Sequence, residues 1–311
     1  MLSPSTIKRL SSVDPLSDYQ SSKNELLGSK SITIEQQKTD SWSLSHSIED
    51  GIERVVVKPS IPSKRPALVM QHGMWHSASC WRDWQIWLAE CGWESHAHSL
   101  PGHGRSPEQR TVPECSLAYY LRFLADEIQR HDTPPILMGH SMGGALTQWY
   151  LKYVGPLPAM VLVASWTSHD ILKDSLWNAM KIDPLGTCLS PFLGWRFQFR
   201  NDQAVRKWFF TKGNDEAAQK LRPELGPESE IVLMQHRAPI WTPPAAGQMP
   251  MLWLGAEEDA IIPDAASRRA ANHYGADYLS IPDAGHDLML ERNAKQSALQ
   301  IDAWLKEALD L

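Results

Sequence analysis

Apolar positions in this chain follow two periods, and the periods take turns. Ile32 and Ile34, then Trp42 and Leu44, are each separated by one polar neighbour, the two-residue spacing of half-buried strands. Val55-Val56-Val57 predicts a third strand, stopped by Lys58-Pro59. Ala67-Leu68-Val69-Met70 is a short apolar run of the kind buried on both faces of a parallel sheet. Helices are then expected over residues 79–90, 116–130 and 145–153. They are interleaved with strands over 93–98, at Ile136-Leu137-Met138 and at Met160-Val161-Leu162-Val163-Ala164. Strands alternating with such helices wind a parallel sheet through right-handed crossovers that cover both faces.

The alternation pauses between Trp166 and Gly247, where only helices are expected, over 171–181, 203–211, 216–221 and 229–237. It resumes with Met251-Leu252-Trp253-Leu254, a helix over 264–274, the strand Tyr278-Leu279-Ser280-Ile281 and a last helix over 294–309. The predicted organisation is an α/β core of residues 31–165 and 248–311, interrupted by a helical cap, or lid, of residues 166–247. Residues 1–30 are rich in Ser without an apolar period and read as a flexible or loosely docked arm. Lys8 and Arg9 lie near the start, but no apolar stretch follows them and Asp14 and Asp18 come early. A secretory leader is therefore not expected, and a cytoplasmic location is the default.

Composition narrows the class. Of 311 residues, 42% are hydrophobic and 21% charged, as in soluble globular proteins. No run approaches the roughly 18 apolar residues of a membrane helix, so stable membrane insertion is not expected. Lys and Arg number 30 against 36 Asp and Glu, a net charge of −6 that argues against a nucleic-acid partner. The four cysteines are too scattered for a disulfide scaffold or a Cys-ligated zinc. Trp is unusually frequent, with 14 residues against 7 Tyr and 6 Phe, which points to a large apolar core or cavity. Nothing in the chain bears on oligomeric state.

The chemistry centres on Gly139-His140-Ser141-Met142-Gly143-Gly144, a G-x-S-x-G pattern between a predicted strand and a predicted helix. A serine on so tight a turn takes an unfavourable backbone conformation, and glycines at 139 and 143 remove the Cβ atoms that would collide. The turn lifts the hydroxyl above the carboxyl edge of the sheet. A hydroxyl nucleophile needs a base, and the base needs an orienting acid. His286, in Ala284-Gly285-His286-Asp287, follows the last predicted strand, and Asp259 follows the strand before it. All three residues fall at carboxyl ends of parallel strands, which share one rim, in the chain order Ser, Asp, His. Glu258, Asp264 and Asp283 compete for the role of the acid. An oxyanion would be held by the Met142 amide and by an amide after the strand Leu68-Val69-Met70, where Gln71-His72-Gly73-Met74-Trp75 follows. Met74 is the first choice of donor and Trp75 the second.

These motifs, with Pro101-Gly102-His103-Gly104-Arg105-Ser106, resemble the α/β-hydrolase superfamily in its capped branch of monoacylglycerol-lipase-like carboxylesterases. The resemblance runs from Ser31 to Leu311. It implies a mostly parallel central sheet with helices on both faces and a helical cap inserted after the sixth strand. It also implies hydrolysis of carboxylic esters through Ser141, His286 and Asp259, with a small-molecule ester as partner. The chain departs from the family at Ser99, where an Asp is usual.

His72 and His103 are expected to hold loop backbone. The spacing His72-x-x-x-His76 starts in a turn without a third ligand, so zinc is not expected. Neither a dinucleotide fingerprint nor a phosphate loop is present, and no cofactor is implied. The aromatic-rich insertion suggests an apolar pocket for acyl chains or aromatic esters, with Trp75, Trp166 and His140 as candidate substrate contacts. Arg196, Arg200 and Lys207 read as solvated charges. Two other readings stay open: the same triad acting on C–C, lactone or amide bonds, and a hydrolase-like ligand receptor without turnover.

Overall fold

The computed structural model describes Leu16, Asp18, Tyr19 and residues 31–311; the rest of the expected N-terminal arm lies outside the described residues. The strands are β1 Ile32–Lys38, β2 Trp42–Glu49, β3 Ile52–Pro59, β4 Leu68–Gln71, β5 Ser95–His98, β6 Ile136–His140, β7 Met160–Val163, β8 Met251–Ala256 and β9 Asp277–Ile281. They form one sheet in the order β1-β2-β3-β5-β4-β6-β7-β8-β9. β1, β2 and β3 pair antiparallel with one another, as does β3 with β5, and every pairing from β5 across to β9 is parallel.

The period of two in the parallel strands sorts their side chains onto two faces. Met70, Met138, Val161, Val163, Leu252 and Leu254 pack on one face with Trp84 and Leu88 of α1 (Arg82–Glu90) and with Ile301 and Leu305 of the C-terminal helix. Val69, Leu137, Leu162 and Trp253 pack on the other. There they meet α2 (Leu117–Gln129) and α3 (Met142–Tyr153), together with a helix over Asp264–Tyr274. Six tryptophans, Trp81, Trp84, Trp93, Trp149, Trp241 and Trp253, are fully buried in these layers, so much of the Trp surplus is core rather than cavity lining.

The helical segment leaves β7, the seventh strand in chain order, where the family resemblance counts six; the apolar pattern itself marks seven, beginning at Ile32 and Ile34. It comprises α4 Ile171–Ile182, α5 Pro184–Leu193, α6 Trp195–Gln198, α7 Asp202–Phe209, α8 Asp215–Leu221 and α9 Ile231–Gln235; α10 is Asp264–Tyr274 and α11 Ala294–Ala308. Helix α5 has no counterpart in the periodicity, since its sequence carries no charge to mark a polar face. Its ends are nonetheless signalled: Asp183 caps the Gly186 amide at 3.0 Å, Pro184 opens the helix and Gly194 (φ 82°) closes it. Phe199, Val205, Trp208, Phe209, Phe210 and Leu221 form a core of the segment's own. Val232 and Trp241 instead join the sheet's core, where Trp241 stacks on Trp149 at 5.5 Å and 8°. None of the described helices is long and apolar enough to cross a membrane.

One buried ion pair pins the antiparallel edge to the helical layer. Arg54 of β3 reaches Glu127 of α2, with Nε 2.9 Å from Oε2, and both side chains are buried. Burial pushes the Glu127 carboxyl up, but the hydrogen bonds and charge of Arg54 outweigh it and hold it below its ordinary value. Its contribution to stability is therefore present at neutral pH and is lost as pH falls through that lowered value. Glu127→Ala strands the guanidinium in the core and is expected to destabilise the fold by about 3 kcal/mol. Urea denaturation followed by tryptophan fluorescence measures this, and an unchanged midpoint refutes it.

Candidate active site

β6 runs straight into Ser141, and α3 begins at the next residue, three positions earlier than the sequence suggests. Ser141 sits at φ 53° and ψ −116°, a backbone region that side chains rarely occupy. The surroundings hold it there. Its amide donates to the Val163 carbonyl at 3.0 Å, and its carbonyl accepts from Gly144 at 2.9 Å and Trp166 at 3.1 Å. A Cβ on Gly139 would come within 2.3 Å of the Gly143 carbonyl oxygen, and one on Gly143 within 2.2 Å of the Gln71 carbonyl oxygen. Only glycine lets the turn close and lets the loop after β4 cross the first turn of α3.

His286 lies in the loop after β9 and Asp259 in the loop after β8, tied together by the Glu258 amide on the Ala284 carbonyl at 3.0 Å. His286 Nδ1 is 2.9 Å from Asp259 Oδ2, and His286 Nε2 is 2.9 Å from Ser141 Oγ. With a carboxylate at Nδ1 and a hydroxyl at Nε2, the neutral ring carries its proton on Nδ1 and presents a free lone pair to the serine. The other carboxylate oxygen of Asp259 accepts from the Ile261 and Ile262 amides, both at 2.8 Å, which fixes its plane. Ser141, His286 and Asp259 are only 6%, 2% and 8% exposed, so these hydrogen bonds lie largely out of water. The competing acids lie elsewhere. Glu258 and Asp283 are exposed, and Asp264 accepts from Tyr278 at 2.6 Å and Ser280 at 2.8 Å.

The loop after β4 passes beside the elbow: a Cβ on Gly73 would lie 2.9 Å from the Ser141 Cβ. Its Gly73–Met74 peptide is held by its carbonyl, which accepts from His72 Nδ1 at 2.8 Å and from the His76 amide at 3.4 Å. A trans peptide held by its carbonyl sends its N–H the opposite way. Met142, the first residue of α3, has an amide that precedes the intrahelical ladder. His72 Nε2 accepts from the Leu100 amide at 3.0 Å, so its ring bridges two loops as expected. Burial pushes His72 well down, and it stays neutral. Where the family resemblance suggests an Asp, Ser99 donates to Glu53 Oε2 at 2.6 Å, so a carboxylate from β3 supplies the missing acid.

Two of the expected substrate contacts are buried among protein partners. His140 is fully buried beneath the site, and its Nε2 donates to the His286 carbonyl at 3.1 Å. Burial and the neighbouring His286 push its ring down to about 3, so it is a neutral support. Trp166 is also buried; its amide braces the elbow while its ring packs 5.9 Å from His236. Trp75 is half-buried and meets Phe199 at 5.0 Å and Phe209 at 6.4 Å. Phe209, a contact that periodicity did not single out, lies 6.2 Å from the His286 ring. The helical segment is bonded to this loop. Asp287 N donates to Phe209 O at 3.0 Å, and Glu291 accepts from the Gly285 amide at 3.1 Å and from Asn214 at 2.8 Å.

Atoms of His140, His286 and Asp287 approach within 4.8 Å of one another, but both His286 nitrogens are committed to Asp259 and Ser141. His72 and His76 likewise spend all four ring nitrogens on protein partners.

Comparison with known proteins agrees with this architecture. A profile described as the Alpha/beta hydrolase family matches residues 68–298. Protein ABHD8 of Bos taurus is 25% identical over 236 residues, covering 71% of this chain, and a pyrethroid hydrolase of Sphingobium wenxiniae is 24% identical over 222 residues, covering 67%. The matches span 34% of the length of mouse ABHD8, 51% of the bovine protein and 76% of the pyrethroid hydrolase. Among solved structures, a monoacylglycerol lipase of Paleococcus ferrophilus superposes with a TM-score of 0.62 at 17% identity, covering 83% of this chain and 99% of that one. With the matched profile spanning most of the sheet and its crossovers, the chain belongs to the alpha/beta hydrolase family.

Proposed function

We propose that this protein is a serine hydrolase that cleaves carboxylic esters of apolar or aromatic substrates. The observation that carries the reading is the unbroken hydrogen-bonded line from Ser141 through His286 to Asp259, with the serine on a strained turn at the sheet's carboxyl edge. The kinship with a pyrethroid hydrolase supports it. Ser141 Oγ attacks the ester carbonyl while His286 Nε2 takes its proton, and Asp259 stabilises the imidazolium that forms. The Met74 and Met142 amides hold the oxyanion of the tetrahedral intermediate. His286 returns the proton to the departing alcohol, leaving an acyl group on Ser141. Water, deprotonated by the same ring, then releases the acid.

In this reading the helical segment between β7 and β8 is a cap, and Trp75, Phe199 and Phe209 are the apolar surface it offers to the substrate. Aromatic rings give contact area without demanding hydrogen bonds, which suits an acyl chain or an aryl group.

Intact-protein mass spectrometry after treatment with a fluorophosphonate should show one adduct, mapped to Ser141, and Ser141→Ala should abolish both labelling and ester turnover. Asp259→Asn, which keeps the shape but reverses the tautomer preference, should lower kcat by about 10³- to 10⁴-fold while the protein stays folded. A panel of p-nitrophenyl esters from acetate to palmitate, run beside lactones, an amide and a vinylogous diketone, identifies the bond. Turnover confined to the last three classes would overturn the ester assignment, and ligand binding without any product would overturn the enzyme.

A further inference from the structure

His76 stands between the two loops that the site depends on. Its Nδ1 lies 2.7 Å from the Met74 carbonyl oxygen, and its Nε2 lies 2.9 Å from Asp287 Oδ2, 211 positions away in the chain. A carbonyl can only accept, and so can a carboxylate. An imidazole that serves two acceptors carries a proton on each nitrogen. The neighbouring rings differ. His72 and His286 each face one acceptor and one donor, and His140 bonds through Nε2 alone among the described residues. His72 and His286 are satisfied as neutral rings, and His140 needs a proton on Nε2 alone.

We propose that His76 is a cationic positioning residue which, paired with Asp287, locks the loop bearing the Met74 amide to the loop bearing His286. Both side chains of the pair are fully enclosed, with the Phe209 ring edge-on to His76 at 5.3 Å and the His140 ring at 5.7 Å. Packed against the pair are His72, His140, His286 and Cys80, and the cavity that His76 borders also carries Asp83, Glu216, Lys220, Glu224, Glu291 and Arg292. Burial keeps His72 and His140 neutral and pushes the Cys80 thiol well up, and Asp287 is the carboxylate in hydrogen-bond contact with the ring. Burial also pushes His76 down, but the charge and hydrogen bond of Asp287 outweigh it and raise the ring above its ordinary value. Burial pushes the Asp287 carboxyl up, and His76 in turn holds it below its ordinary value.

The mechanical result is specific. His72 pins the carbonyl before Met74 and His76 pins the carbonyl after it, so both peptides flanking this residue are fixed. On the far side Asp287 is the residue next to His286, and its own amide is anchored on Phe209. One buried ion pair thereby ties the loop of the oxyanion donor directly to the loop of the base. The consequence for turnover rests on the hydrolase reading above, whereas the charge on the ring does not.

The test begins with the unmodified full chain, labelled with ¹⁵N-histidine. At about pH 8, where an ordinary histidine is neutral, long-range ¹H–¹⁵N correlation should show both ring nitrogens of His76 protonated. Asp287→Asn should return that ring to a single proton. A singly protonated His76 in the wild type overturns the proposal. In kinetics, His76→Gln should lower kcat on a soluble short ester by about 10- to 100-fold, with KM changed by less than about threefold, and should slow fluorophosphonate labelling in parallel. Unchanged kcat in a folded His76→Gln protein also overturns it. The stability that His76 contributes is complete below the ordinary histidine pKa and is lost as pH rises through its raised value. If the wild type neither labels nor turns over any ester, the hydrolase reading falls while the ring's charge is still decided by the spectrum.

Discussion

The close approach of the loop after β4 to the first turn of α3 is the constraint from which the rest follows. Gly143 passes so near the Gln71 carbonyl that a single added carbon would lie 2.2 Å from its oxygen. A non-glycine residue at φ 53° is held against a penalty of order 1–3 kcal/mol, which persists only where the surroundings leave no alternative. Here the Val163, Gly144 and Trp166 backbones all engage the Ser141 peptide groups. The strain and the packing are one arrangement: the bend that exposes the hydroxyl also brings the Met74 loop beside it.

Buried imidazoles form the second layer of organisation. His72, His76, His140 and His286 lie within one small volume, yet their partners differ, and partners decide charge. A ring between a donor and an acceptor stays neutral however deeply it is buried. This division keeps the lone pair of His286 available to the serine while neighbouring rings serve as struts.

The parts of the site carried by short, continuous stretches were readable from the chain. The glycine pattern around Ser141, the loop positions of Asp259 and His286 and the turn at Met74 all depend on local backbone geometry and on strand order. The α/β alternation was readable for the same reason, since period-two runs mark each parallel strand. Contacts between distant stretches were not. His140 looks like a pocket residue beside Ser141, but its direction is set by a carbonyl 146 positions later. Trp166 turns inward onto His236, and Glu53 stands in for the acid expected at Ser99. Helix α5 escaped because an uncharged helix has no polar face to give it a period, although Asp183-Pro184 and Gly194 mark its ends. Trp241 was grouped with the insertion by position, whereas its ring lies against Trp149 of α3.

The bonds between the helical segment and the loop of His286 carry a consequence of their own. Phe209 O, Asn214 and the Thr211 amide are all fastened, directly or through Glu291, to the stretch from Gly285 to Asp287. An outward swing of α7 as a rigid flap would drag His286 with it and open the gap to Ser141. Any movement of this segment that leaves His286 in place therefore has its hinge away from Phe209, with this corner as the stationary doorpost.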